Sequence, residues 1–170
     1  MKPELQIFTG LQRQKAPVDK ATLLDLEKVT IAESPKKLPL SSDEIEIHGY
    51  PFTVELAKTR HEKAKGLSGR RHVPNGTGML FFMNGGPAKF HMKNTHVPLD
   101  ILFLDKNGTV IEQSQMQPYT GKSSCSKDVH YALELPMGTC QSIDVKVGDT
   151  FDLGKNSLIR SAIREVLLSM

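Results

Sequence analysis

At 170 residues, with 38% apolar and 24% charged residues, the chain has the length and composition of one globular domain plus extensions. A net charge of +3 carried by scattered basic residues argues against a nucleic-acid partner, and no stretch is apolar over the length that spans a membrane. The N-terminus lacks the apolar core of a signal peptide, so a soluble, cytoplasmic protein is expected.

Residues 1–44 read as an N-terminal extension or arm. They hold Pro3, Pro17, Pro35 and Pro39, many charged residues, and a short helical candidate from Lys20 to Lys28 with Asp19 as N-cap. The compact domain is expected over 45–154. Ile45-Glu46-Ile47 and Phe52 to Ala57 alternate on either side of His48-Gly49, the pattern of a hairpin. Thr59 and Glu62 have capping-box spacing, which predicts a short helix from Arg60 to Leu67. Met79 to Met83 and Ile101 to Leu104 are apolar without alternation, as strands covered on both faces should be. Asn107-Gly108 between Leu104 and Thr109 predicts a tight hairpin with both residues at positive φ. Gln113 to Asp128 reads as a polar loop, a candidate lid. Val129 to Leu135 alternates, with Tyr131, Leu133 and Leu135 on one face, and Val145 to Phe151 reads as a strand, a turn and a closing strand. Residues 155–170 predict an amphipathic helix capped by Asn156. Its stripe of Ile159, Ile163, Val166 and Leu167 would pack on its own domain or on a partner.

The densest polar chemistry lies between Phe90 and Asp100. His91, Lys93, Asn94, Thr95, His96 and Asp100 are the candidate pocket residues. The plainer reading has Asn94 and Asp100 tying down a loop, because short polar side chains at strand ends serve the backbone, and has Lys93 and Asp100 paired across Pro98. An enzyme would draw on His91, His96, His130, Asp100 or Cys125. None of these stands in a nucleophile motif or at metal-ligand spacing, so no catalytic residue, metal or cofactor is expected. Cys125, in a polar loop, and Cys140 are expected to be unpaired thiols.

Residues 53–151 resemble the domain of unknown function 192 family of bacteria, archaea and phages. The matching pieces are Thr59-x-x-Glu62 with Gly66-Leu67, Gly78-Met79-Leu80-Phe81, Met92-Lys93-Asn94-Thr95 with Pro98-Leu99-Asp100, Tyr131 to Leu135 with Gly138, and Gly148-Asp149. His91 stands where the family usually carries Trp, and Ser68-Gly69-Arg70 where it often carries Met-Phe-Arg. The resemblance implies an α+β, predominantly β domain, compact, antiparallel and barrel-like, with one short helix; it implies no reaction. A domain flanked by an arm and a terminal helix is the architecture of a structural or assembly protein, with a protein partner or a second copy bound through those segments and neither nucleic acid nor membrane involved. A phage virion component would be one such case. A small-ligand or peptide module using residues 91–100 is the alternative, and a hydrolase-type enzyme the second alternative.

Overall fold

The computed structural model describes residues 40–155 and 157–168, all within one compact unit. The extension up to residue 39, with its helical candidate at Lys20 to Lys28, lies outside the described residues, as does Asn156. The described residues form eight strands and three helices: β1 Ser42–Ile47, β2 Tyr50–Ala57, α1 Arg60–Lys65, β3 Thr77–Phe82, β4 Ala88–His91, β5 Leu99–Leu104, β6 Val110–Met116, β7 Lys122–Cys125, β8 Tyr131–Pro136, α2 Thr139–Ser142 and α3 Ser157–Leu168.

The local signals act as their chemistry dictates. His48 and Gly49 both take positive φ (51° and 84°), the geometry that matches the twist of two paired strands, and β1 and β2 pair antiparallel around them. At the start of α1 the Thr59 hydroxyl accepts from the Glu62 N–H, and the Glu62 carboxylate accepts from the Thr59 N–H at 2.8 Å and the Lys58 N–H at 2.9 Å. These backbone donors hold the Glu62 carboxyl below its ordinary pKa, against a desolvation that is the largest single influence and acts the other way.

The main sheet has the order β1-β2-β3-β8-β5-β6. All neighbours are antiparallel except β2 and β3, which run parallel and are joined through α1. The sheet ends at β1 and β6 and does not close, so the expected barrel is an open sheet. The reason is that β4 and β7 leave it to pair with each other as a separate two-stranded sheet.

Both faces of the main sheet are buried. On one, Ile47, Val54, Leu80, Leu102 and Leu133 meet Cys140, Val145, Phe151, Ile159 and Ala162 from the C-terminal quarter of the chain. On the other, Met79, Phe81, Ile101, Phe103 and Ala132 meet Leu67 after α1, Ala88 of β4, Met92 and Cys125 of β7. Strands in the middle of such a sandwich need apolar side chains on both sides, which is why β5 is buried at every position.

Several expectations change. Only Gly108 of the Asn107-Gly108 pair has positive φ (80°). The Asp105 carboxylate accepts from the Asn107 and Thr109 N–H groups at 2.8 and 2.9 Å, and with the Gly108 N–H bonded to the Asp105 carbonyl and the Asp105 N–H to the Thr109 carbonyl this holds a wider turn ending in a glycine bulge. The expected lid at 113–128 is largely structured: β6 runs to Met116, and β7 covers the second face through its pairing with β4. Cys125 is therefore buried, not in an exposed loop, and both it and Cys140 are free thiols. Val145 to Phe151 forms no regular strand and meets the chain before β6 in a single antiparallel bridge, Thr150 to Thr109. It follows β6 through single bonds, Val110 N–H to Asp149 O (2.8 Å) and Phe151 N–H to Gly108 O (3.0 Å).

Helix α3 packs on its own domain along the first part of the expected stripe. Ile159 and Ala162 are fully buried, and Ile163 packs against the same cluster. The Asp43 carboxylate accepts from the Ile159 N–H at 3.1 Å, and Lys58 and Glu165 approach to 3.2 Å. Leu167 is exposed, as are Leu158 and Leu168. The Val166 side chain lies outside the described residues. Ile159→Ala should lower stability by about 2 kcal/mol, the low end of the range for a buried Ile because Ala is the better helix former. Urea denaturation followed by circular dichroism would measure it; no change in midpoint would show that the helix adds nothing to the core.

Candidate functional site

A pocket of about 410 Å³ opens on the second face of the sheet, between α1 with the segment after it, the end of β3, β4 and the 93–95 turn. Its apolar walls are Leu67, Phe81, Met83 and Phe90. Lys63, Lys65, Lys89, His91 and Lys93 supply its basic groups, and Glu134 of β8 is the one acidic lining residue.

Backbone geometry builds the walls. Gly66 ends α1 at φ 45°, and a Cβ there would stand 3.3 Å from the Phe81 ring, so only glycine lets the helix end close on that aromatic. The Phe90 ring meets Phe81 edge to face with centroids 5.0 Å apart and Phe103 with centroids 5.8 Å apart. Asn94 occupies the left-handed region at φ 59°, which its short polar side chain tolerates. Its side-chain amide donates to the Ser68 hydroxyl at 3.1 Å, and its backbone carbonyl accepts from the Gly69 N–H at 2.6 Å. The next residue outward, Arg70, holds Glu55 through two parallel bonds of 2.5 and 2.6 Å, which raise the pKa of the guanidinium. The segment after α1 and the 93–95 turn are thus latched together by bonds within the chain.

Glu134 is the unusual group. It sits in register between Met79 of β3 and Ile101 of β5, on the face that carries Ala132, and is 5% exposed. Among the described residues none hydrogen-bonds or ion-pairs with its carboxyl, and burial alone pushes its pKa up to about 8. A carboxyl of that kind is neutral near pH 7, with one O–H to donate and oxygen lone pairs to accept. Burial without a protein partner is costly, and such groups gather at functional sites.

The sequence-level candidates divide. His91, Lys93, Asn94 and Thr95 all line this pocket. His96 does not; its ring packs edge to face on Tyr119 and its Nδ1 lies 2.7 Å from the Tyr119 hydroxyl. Asp100 belongs to the opposite face. Its carboxylate accepts from the Cys140 N–H at 2.9 Å and the Gln115 amide at 3.2 Å, so it makes no pair with Lys93. The Cys140 thiol, desolvated and next to this carboxylate, is pushed up to about 12 and is no nucleophile. Asp100→Asn should cost about 1–3 kcal/mol, because it puts an amide donor where the buried Cys140 N–H needs an acceptor; an unchanged melting temperature would refute the structural role of Asp100. His130 is held by Asp128 at 3.2 Å and is not among the pocket residues. Among the described residues no three His, Cys, Asp or Glu side chains converge as metal ligands, and no helix is long and apolar enough to cross a membrane.

The sequence reasoning missed Glu134, Lys63, Lys65 and Lys89. In an alternating strand a Glu between leucines reads as the solvent side. The signal against that was the apolar character of both faces of Met79 to Phe82 and Ile101 to Leu104, since a strand lying between those two cannot show a face to water.

Solved structures share the fold. A proposed transcription regulator from Sinorhizobium meliloti 1021 is 29% identical, with 68% of this chain and 96% of that one covered and a TM-score of 0.64. A protein of unknown function from Novosphingobium aromaticivorans DSM 12444 is 30% identical, with 66% of this chain and 86% of that one covered and a TM-score of 0.63. No curated protein matches the chain. The uncharacterised ACR family known as domain of unknown function 192 matches residues 43–153, well over half of the sequence and every element from β1 to α2. The chain belongs to the domain of unknown function 192 family.

Proposed function

We propose that the domain is a small-molecule binding module and that the pocket floored by Glu134 is its site. The observation that carries this reading is the Glu134 carboxyl, on a residue only 5% exposed, without a protein partner among the described residues and opening on this cavity. A domain that needed only stability would place an apolar residue at that position. A volume of about 410 Å³ is in the range of small-ligand pockets, and the lining combines aromatic walls with a few convergent polar groups, as such pockets do. Binding without chemistry is favoured over hydrolysis because the sequence places no nucleophile motif beside Glu134. The assembly reading has less support than the sequence lent it, since Ile159 and Ile163 pack on the domain's own core.

The test is a fragment screen by protein-observed NMR with a library spanning neutral, cationic and anionic compounds. Hits should shift the resonances of Leu67, Phe81, Met83 and Phe90 together. A screen whose perturbations avoid this pocket, or gather on the exposed leucines of α3, would refute the reading.

A further inference from the structure

The distribution of charge around the pocket narrows the ligand class. Resting on the binding reading above, we infer that the ligand is a small organic acid whose apolar body lies against Phe81 and Phe90, with its anionic group among Lys65, Lys89 and Lys93 and a polar group at its inner end meeting Glu134.

Three observations converge on this. First, the lining is one-sided in charge: Lys63, Lys65, Lys89 and Lys93 face a single acid. Second, three of the four lysines are uncommitted. Lys63 donates to the Phe82 carbonyl at 2.9 Å, whereas Lys65, Lys89 and Lys93 make no hydrogen bond or ion pair with any described residue. Ammonium groups of like charge around one opening repel each other, and an anion between them relieves that repulsion. Third, the acid that would offset them is withdrawn to the floor and, kept uncharged by burial, adds no negative charge at neutral pH. A cationic ligand would have to pass the lysines to reach it. A neutral ligand would leave the lysines unused.

The inner contact follows from the inventory of a neutral carboxyl. It can donate one hydrogen bond and accept others, which suits a hydroxyl, an amide or a carbonyl at the far end of the ligand. Phe81 and Phe90 provide an aromatic surface for the body between the two ends. The ordering of polar rim, apolar middle and polar floor sets the direction in which the ligand enters.

The experiment uses two matched triplets: 4-hydroxyphenylacetate, its amide and tyramine; and hexanoate, hexanamide and hexylamine. Members of a triplet share a body and differ in charge. Affinities are read by NMR titration of the pocket resonances at pH 7, in low and in high salt. The carboxylates should bind at least about tenfold more tightly than their amides and amines and weaken as salt is raised. The exposed-site variant Lys89→Glu/Lys93→Glu should erase that preference without altering the fold. Within the acids, 4-hydroxyphenylacetate should lose affinity in Glu134→Leu, whereas hexanoate, with no inner polar group, should not. Amides or amines that bind in this pocket as well as the acids would overturn the acid-ligand inference and leave the binding site standing. Perturbation of the pocket by none of the six, together with an empty fragment screen, would overturn both.

Discussion

Glu134→Gln should make the domain more stable at neutral and mildly alkaline pH while leaving its stability at pH 4.5 unchanged. The carboxyl ionises in the unfolded chain near its ordinary value of 4.5 but in the folded domain only near 8, because burial disfavours the charged form. Folding therefore takes up a proton between those two values. The stability that the neutral carboxyl contributes is complete below about pH 4.5 and is lost progressively as pH rises to about 8. The full loss is on the order of 3–5 kcal/mol if the site stays dry, and less if water reaches the carboxylate through the pocket. Glutamine keeps the shape and cannot ionise, so the variant's stability should stay flat across that window. Denaturant midpoints for both proteins at half-unit steps of pH would show it. Parallel curves would mean that Glu134 is already charged in the folded domain and would remove the basis for its role as a donor. A ligand that meets the neutral carboxyl should in turn bind less tightly above pH 8, which links the stability curve to the site.

Gly78→Ala should destabilise the domain by on the order of 3–4 kcal/mol. Gly78 opens the apolar run of β3, and its φ is not in the left-handed region, so nothing about the local backbone demands glycine there. The demand comes from β8. A Cβ on residue 78 would stand 2.5 Å from the carbonyl oxygen of Glu134 and 2.7 Å from Cδ2 of Leu135. Leu135 has rotamers to move into; the Glu134 carbonyl belongs to a backbone paired on both sides, to β3 and to β5. The substitution thus pushes apart the two central strands at the residue that floors the pocket. A thermal melt of the variant checks the size of the effect, and a shift under about 1 kcal/mol would show that the strands part easily. The same displacement should weaken any ligand held at Glu134, so a variant that still folds should bind less tightly than the parent.

The local elements were legible because each is set by chemistry within a few residues. The His48-Gly49 turn, the Thr59 and Glu62 capping box, the buried runs at Met79 and Ile101 and the alternation of β8 all depend on side chains next to each other in the chain. At Asn107-Gly108 the reading missed a local contact, the Asp105 carboxylate two residues before, which set the turn type. Elsewhere a distant residue had intervened. At Cys125 an upstream strand, Ala88 to His91, turned a polar stretch into a covering sheet. Of the six candidates between His91 and Asp100, four line the pocket, whereas Asp100 lies on the opposite face of the sheet. The alternation of strand faces puts it with Leu102 and Leu104, against Cys140, while the 93–95 turn lies over the face of Ile101 and Phe103.

What the sequence determined by itself is the strands of the main sheet, the helix after Thr59 and the terminal helix, the family, and the fact that the central strands are covered on both sides. Only the tertiary structure decided the order of the strands, and with it the site. Once β8 is inserted between β3 and β5, a glutamate that alternation assigns to solvent is enclosed by Met79 and Ile101 and roofed by elements from α1 and β4. Its neutrality is a property of that enclosure. No neighbour in the chain supplies it, because desolvation is the work of residues brought together by folding.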